Sequence, residues 1–190
     1  MHRGASDIDS ETGGGTGGRD RPELTPWERL GRGLFRARGV TPVALVLIAL
    51  LWPTGRGIAP ARLAVSLALI VLGEAVRLRA VGVAGKCTRT RGDNVRELVT
   101  WGPFARVRNP LYLGNFALSL GLVVLSKVGW LLWAFPVAFA IQYAAIVAWE
   151  EKTLSNGFGE EYESYRRTVP RWVPALRAPD GRRRVTYRPE

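Results

Sequence analysis

The sequence predicts an all-α integral membrane protein with about four transmembrane helices plus short interfacial and C-terminal helices. Three observations predict it. Apolar residues make up 47% of the chain although mean hydropathy is close to zero, so greasy segments must alternate with charged ones. The basic residues fall in blocks between the apolar runs, the pattern of membrane loops. Val128 to Trp149 runs 22 residues without a charge, and a span needs about 20.

The 190 residues suffice for one domain, at 22–176, flanked by an N-terminal tail at 1–21 and a basic C-terminal tail at 177–190. A net charge of +11 raises nucleic acid as a partner. The block placement of the charges argues for a lipid bilayer and against nucleic acid. Cys87 and His2 are the sole residues of their types. A disulfide framework, a metal site and His-dependent catalysis are therefore not expected.

In chain order, Met1 to Asp20 is rich in Gly, Ser, Thr and charge, and reads as disordered. Its glycine run at 13–18 lacks the strand before and the helix after that a phosphate loop needs. No apolar segment follows the start as in a signal peptide. Pro22 to Arg38 places Trp27, Leu30, Leu34 and Phe35 at helical spacing. It reads either as an amphipathic helix on the membrane surface or as a polar helix packed on its neighbours. Val40 to Trp52 is a first apolar run, long enough to span only if it extends back to Leu34 with Arg36 and Arg38 snorkelling. Pro53-Thr-Gly ends it.

Gly57 to Val76 is the second run. Arg62, Glu74 and Arg77 sit either at its interfaces or, as charges inside a span, at a functional site. A basic loop from Arg77 to Arg108 follows, with a short ordered piece at Val95 to Thr100. Pro110 to Ser126 carries no charge, and Gly114 and Gly121 allow close helix packing. Lys127-Val-Gly is a tight turn into the fourth run. Trp130, Trp133 and Trp149 fall near the ends of that run, as interfacial aromatics do. Beyond Trp149 the chain turns polar, Gly157 is a natural helix stop, and Glu160 to Arg167 forms a last short helix before Pro170. Tyr162 and Tyr165 anchor that helix at the interface.

Segments 1–39, 77–110 and 150–190 hold seven, eight and nine of the Lys and Arg residues, against three elsewhere. With four spans, all three rich segments lie on one side. The positive-inside rule makes that side cytoplasmic, with both termini in.

Two stretches carry chemistry, and both fall on that side. The first is Leu-Val-Thr-Trp-Gly-Pro-Phe-Ala-Arg-Val-Arg-Asn-Pro-Leu-Tyr-Leu-Gly at 98–114. Asn109 suits a helix N-cap, and Pro110 suits the first helical position. The second, Glu150 to Pro174, contains Glu150-Glu151, Leu154, Phe158-Gly159, Glu161-Tyr162, Tyr165, Val169-Pro170 and Pro174. The hairpin of spans three and four makes the two stretches neighbours. The acidic pair reads either as a solvated helix end or as part of a site.

Together these stretches resemble the motifs of the isoprenylcysteine carboxyl methyltransferase family and its phospholipid methyltransferase relatives. The first motif there has the form Leu-Val-x-x-Gly-x-Tyr-x-x-x-Arg-His-Pro-x-Tyr-x-Gly. The resemblance covers roughly the C-terminal half. It implies a membrane methyltransferase that binds S-adenosylmethionine without a Rossmann domain. It also implies cofactor contacts at Arg96, Glu97, Leu98, Val99, Phe104, Asn109, Pro110, Leu111, Tyr112 and Glu150, and catalytic positions at Arg108, Asn109 and Tyr112. The chemistry agrees. The cofactor's ammonium wants a carboxylate such as Glu150, its carboxylate wants a helix start, and its adenine wants apolar walls.

The chain departs from the family at three positions. The family His is Asn109, which cannot become cationic. The family Tyr is Phe104. The Arg that holds the prenylcysteine carboxylate, one turn before the acidic pair, is Ile146. That last change speaks against an isoprenylcysteine carboxylate and for a more neutral lipophilic acceptor, or a small thiol or amine. Two other readings stand beside methyl transfer. One is an NADPH-dependent membrane reductase of the sterol-reductase type, which shares an Arg-His-Pro-x-Tyr-x-Gly motif. It prefers a Cys and a Trp where this chain has Leu154 and Tyr162. The other is a non-catalytic membrane protein of the same fold.

Overall fold

The computed structural model describes residues 24–51, 57–85, 97–177 and 184–186. The N-terminal tail with His2, the Pro53-Thr-Gly turn, and the loop containing Cys87 and Arg96 lie outside the described residues. Among the described residues six α-helices dominate: α1 Pro26–Ala37, α2 Val40–Leu51, α3 Pro60–Ala84, α4 Pro110–Ser126, α5 Leu131–Phe158 and α6 Glu160–Thr168. Two short strands, β1 Glu97–Val99 and β2 Arg184–Thr186, pair antiparallel with Leu98 opposite Val185. The ordered piece expected at Val95 to Thr100 contains β1. Its partner comes from the C-terminal segment expected to be a tail.

Thr25 and Glu28 start α1 with a reciprocal capping box, Glu28 N–H donating to Thr25 Oγ1 at 3.3 Å and Thr25 N–H to Glu28 Oε2 at 2.7 Å. The helix lies on α5 at very short range. A Cβ on Gly31 would sit 2.0 Å from the Ala145 carbonyl oxygen, so only glycine permits this crossing. A turn at Arg38–Gly39 separates α1 from α2. The first apolar run therefore does not continue back to Leu34 as one helix. Arg38 turns into the protein instead of snorkelling outward.

The second run is also longer than its apolar part: α3 continues through Arg77 to Ala84. It packs along α4, with which it makes its most extensive contact. Gly73 meets the backbone at Gly114 and Leu118, Gly121 meets Ser66 and Ile70, and Ser66 Oγ donates to the Gly121 carbonyl at 2.7 Å. These are the small-residue contacts by which helices associate where no hydrophobic force draws them together. Lys127 adopts a left-handed conformation, φ 62°, and closes the tight turn between α4 and α5.

The last turn of α5 differs from expectation. Gly157 stays helical and Gly159, at φ 53°, ends the helix. Tyr162 and Tyr165 do not anchor α6 at an interface. Both are buried with Leu98, Phe158 and Val169 in a small second core. The main core runs along α4 and α5 through Tyr112, Val123, Phe135, Phe139 and Tyr143.

Large apolar side chains face outward on α3 (Val65, Val71, Leu72, Leu78) and α5 (Trp133, Val137, Ile141). Such a surface suits lipid rather than water. Among the described residues, α5 is the one helix both long and apolar enough to cross a bilayer. Its 28 residues reach about 42 Å, whereas the 12 of α2 reach about 18 Å, short of the ~30 Å hydrocarbon core.

Candidate functional site

The start of α4 and the C-terminal third of α5 meet at a cavity of about 330 Å³, a volume within the usual range for a small-ligand site. The loop after β1 and α1 close its sides. Glu97, Leu98, Val99, Phe104, Arg108, Asn109, Pro110, Leu111, Tyr112 and Glu150 all line it. Every predicted site residue that the structure describes is therefore gathered in one place. Arg96 lies outside the described residues.

The acidic pair splits because successive helical residues point about 100° apart. Glu150 faces the cavity, where Tyr112 Oη donates to its Oε1 at 2.6 Å. Tyr112 is buried and tilted against Tyr143, ring centroids 4.6 Å apart, and Asn115 Nδ2 donates to Tyr143 Oη at 3.2 Å. This row of hydrogen-bonded rings fixes where the Glu150 carboxylate sits.

Glu151 turns the other way. It is buried and ion-paired to Arg108, whose Nη1 lies 2.7 Å from its Oε1, and to Arg171, whose Nε lies at 3.0 Å and whose Nη2 reaches Oε2. Two backbone bonds reinforce the clamp: Arg108 N–H to the Pro170 carbonyl at 2.9 Å and Ala175 N–H to the Arg106 carbonyl at 2.8 Å. The C-terminal segment is thereby strapped across the loop that leads into α4. Arg106 itself is exposed.

Asn109 occupies the N-cap position, but its side chain does not cap α4. Its Nδ2 instead donates to the Arg171 carbonyl at 3.2 Å, so it ties the strap to the helix start. Tyr112 and Leu113 N–H donate back to the Asn109 carbonyl at 3.2 and 3.3 Å, which leaves Leu111 N–H ahead of the first intrahelical donors. Phe104 lies in a 3₁₀ turn, Gly102–Ala105, whose carbonyl at Phe104 accepts from Tyr165 Oη at 2.8 Å. Burial pushes the Tyr162 hydroxyl up to about 12, with Glu151 adding and Arg108 opposing. Burial raises Tyr165 likewise, with Tyr162 adding. Both hydroxyls stay neutral at physiological pH.

Sequence reasoning missed Arg38 and Phe35 from α1, and Asn115, Trp149, Thr153 and Leu154, all of which also line the cavity. Arg77 allows either reading from sequence. It is paired with Glu74 at 2.8 Å and lines the cavity, so it is more than an interfacial charge. The Glu74–Arg77 spacing of one helical turn was the available signal; for Arg38 no local signal existed. Ile146 is wholly buried and does not line the cavity.

Residues 61–161 match the family model for phospholipid methyltransferase, which is more than half of the chain. The chain belongs to this family. Among similar proteins, the nickel-cobalt-cadmium resistance protein NccN of Alcaligenes xylosoxydans xylosoxydans is 34% identical over 113 residues, 59% of this chain and 53% of that protein. The protein-S-isoprenylcysteine O-methyltransferase B of Arabidopsis thaliana is 32% identical over 112 residues, 57% of each chain. The human protein-S-isoprenylcysteine O-methyltransferase is 31% identical over 124 residues, 58% of this chain and 40% of that enzyme. The chain spans about half the length of the curated relatives it matches. No solved structure matches it significantly. The family match begins in α3, so α1 and Arg38 lie outside it.

Proposed function

We propose that this protein is an integral membrane methyltransferase that uses S-adenosylmethionine, with a lipophilic or small acceptor. The observation that carries this reading is the convergence of Glu150, held by Tyr112 at 2.6 Å, with the start of α4 in one cavity. When bound, S-adenosylmethionine supplies a sulfonium methyl that a nucleophile displaces in line, the sulfur keeping the electron pair.

The residues present fit such a molecule. Glu150 receives the ammonium as a charge-assisted pair. Leu111 N–H at the positive end of α4 receives the carboxylate. Leu98, Val99, Phe104 and Leu154 form apolar walls for the adenine. Asn109, through Arg171, and Arg108, through Glu151, hold the loop in place. Orientation in a site screened from water can supply up to ~7–11 kcal/mol of the barrier. A carboxylate or thiolate acceptor needs no general base, so Asn109 in place of the family His is no obstacle. The family and the isoprenylcysteine relatives are named for methyl transfer, which favours this reading over hydride transfer from NADPH.

Calorimetry on detergent-solubilised full-length protein tests it. S-adenosylhomocysteine is expected to bind in the micromolar range, and Glu150→Ala is expected to abolish binding while the protein stays folded. Binding of NADPH but not S-adenosylhomocysteine would overturn the assignment.

A further inference from the structure

Helix α1 has two faces, and only one of them has a role in the fold. Gly31 crosses α5 against Ala145, Leu34 and Phe35 pack on the main core, and Phe35 and Arg38 reach the cavity. Arg29, Arg32 and Arg36 lie on the other side, at i, i+3 and i+7, within about 60° of one another around the helix. All three are exposed. None forms an ion pair within 4 Å among the described residues. Arg29 Nε donates to the Leu24 carbonyl at 3.1 Å, a local contact that leaves its charge uncompensated. Glu28, the sole acid of α1, is engaged in the capping box with Thr25. Leu30, between the two faces, is 48% exposed, and Trp27 at the helix start is 44% exposed.

The depth of α1 identifies what meets this stripe. Glu150 is the first charge after the charge-free run Val128 to Trp149, so the lipid boundary lies near it. Gly31 meets α5 five residues earlier, at Ala145, about 8 Å along the helix axis. Interfacial helices lie with their apolar face about 5–10 Å inside that boundary and their basic face among the headgroups. Beyond Arg38 the chain descends: Thr41 Oγ1 donates to Gln142 Oε1 at 2.9 Å, and Leu45 enters the main core. Val43, Val46 and Leu47 face outward from α2, a surface that suits lipid. Three uncompensated cations therefore crown an apolar surface at headgroup depth, where acidic headgroups complement them and neutral ones do not. From these observations, and resting only on the membrane part of the reading above, we infer that the Arg29, Arg32 and Arg36 stripe of α1 binds acidic phospholipid headgroups of the bilayer that α5 crosses. Guanidinium forks match phosphate oxygens in pairs, and each basic side chain near an anionic leaflet adds to the attraction. The helix then joins two surfaces, acidic lipid on its outer side and the cavity wall on its inner side.

The test reconstitutes full-length protein into mixed vesicles of phosphatidylcholine and phosphatidylglycerol. It reads quenching of Trp27 by chain-brominated lipid, with Trp27→Phe supplying the background from the other tryptophans. At equal mole fraction, phosphatidylglycerol is expected to occupy the surroundings of Trp27 about fivefold or more over phosphatidylcholine, the worth of one arginine near an anionic surface. The variant carrying Arg29→Gln, Arg32→Gln and Arg36→Gln is expected to bring the two lipids to near parity, and Arg32→Gln alone to lower the preference partway. Removing three exposed cations elsewhere, by Arg166→Gln, Arg167→Gln and Arg177→Gln, is expected to leave it unchanged. Equal quenching by both lipids in the wild type, a preference that survives the α1 triple variant, or one lost equally in the other triple variant overturns the inference. So does loss of the preference to inorganic phosphate at matched ionic strength, which would assign the stripe to a soluble anion. A wild-type protein that alkaline carbonate strips from the vesicles overturns the membrane seating and this inference with it. S-adenosylhomocysteine binding is measured separately, so methyl transfer and the lipid stripe stand or fall apart.

Discussion

Replacing Glu151 by Gln should be among the most damaging single changes outside the cofactor contacts. The carboxylate is 9% exposed, and the Arg108 guanidinium it neutralises is 12% exposed. Removing one partner of a buried pair strands the other charge, which costs about 3–5 kcal/mol. Arg171 is 43% exposed, so water replaces its lost partner and its share is ~0–1 kcal/mol. The Arg108 side therefore carries most of the loss. For a chain of this size a loss of 1 kcal/mol lowers Tm by about 2–4 °C, so Glu151→Gln should lower it by about 6–20 °C. Thermal unfolding of the detergent-solubilised protein reads the shift. The companion variant Arg108→Met with Glu151→Met removes both charges and should recover most of the loss, since a buried pair replaced by apolar groups is often neutral. Arg171→Ala should shift Tm by no more than about 4 °C. A Glu151→Gln protein that melts within 3 °C of wild type, or a double variant worse than either single one, would refute the clamp.

Tyr112→Phe keeps the ring against Tyr143 but removes the donor to Glu150; S-adenosylhomocysteine affinity measured by calorimetry should fall by about tenfold, the worth of one hydrogen bond to a charged group. In Gly73→Ala the new Cβ would stand 2.5 Å from Leu118 N and 2.7 Å from the Gly114 carbonyl, backbone that cannot move aside, so stability should drop by about 1–3 kcal/mol, whereas Gly33→Ala, with nothing within 4 Å, should be neutral or slightly stabilising. Tyr165→Phe frees the Phe104 carbonyl and should cost about 1 kcal/mol in denaturant titration. Tyr162 is held up to about 12 against an ordinary 10 in the unfolded chain, so the stability this burial contributes is fully present below about pH 10 and is lost as pH rises through about 12. Tyr162→Phe should blunt the fall in Tm over that window, and an alkaline melting curve unchanged by the substitution would count against it.

The sequence by itself determined the helical hairpin, the small-residue contacts at Gly114 and Gly121, and the two polar stretches that flank the hairpin on one side. These follow from local rules: runs without charge, helical period, and turn residues act over a few neighbours. The same rules put Tyr112 and Glu150 within reach of each other, because a hairpin must bring its two ends together. Only the tertiary structure decided the rest. Glu150 and Glu151 are adjacent and alike in sequence, yet one faces the cavity and the other pairs with two arginines, a division set by which side of α5 meets the strap. Asn109 holds the N-cap position but serves as a tether: its Nδ2 donates to the Arg171 carbonyl, and its side chain caps no amide of α4. Arg38 snorkels outward only if the first apolar run reaches back to Leu34, which the turn at Arg38–Gly39 prevents. It turned inward because Gly31 lets α1 lie on the Ala145 carbonyl and so carries the helix end to the cavity mouth. Such outcomes depend on contacts between residues from 20 to more than 100 positions apart, and no pattern within a short window encodes them.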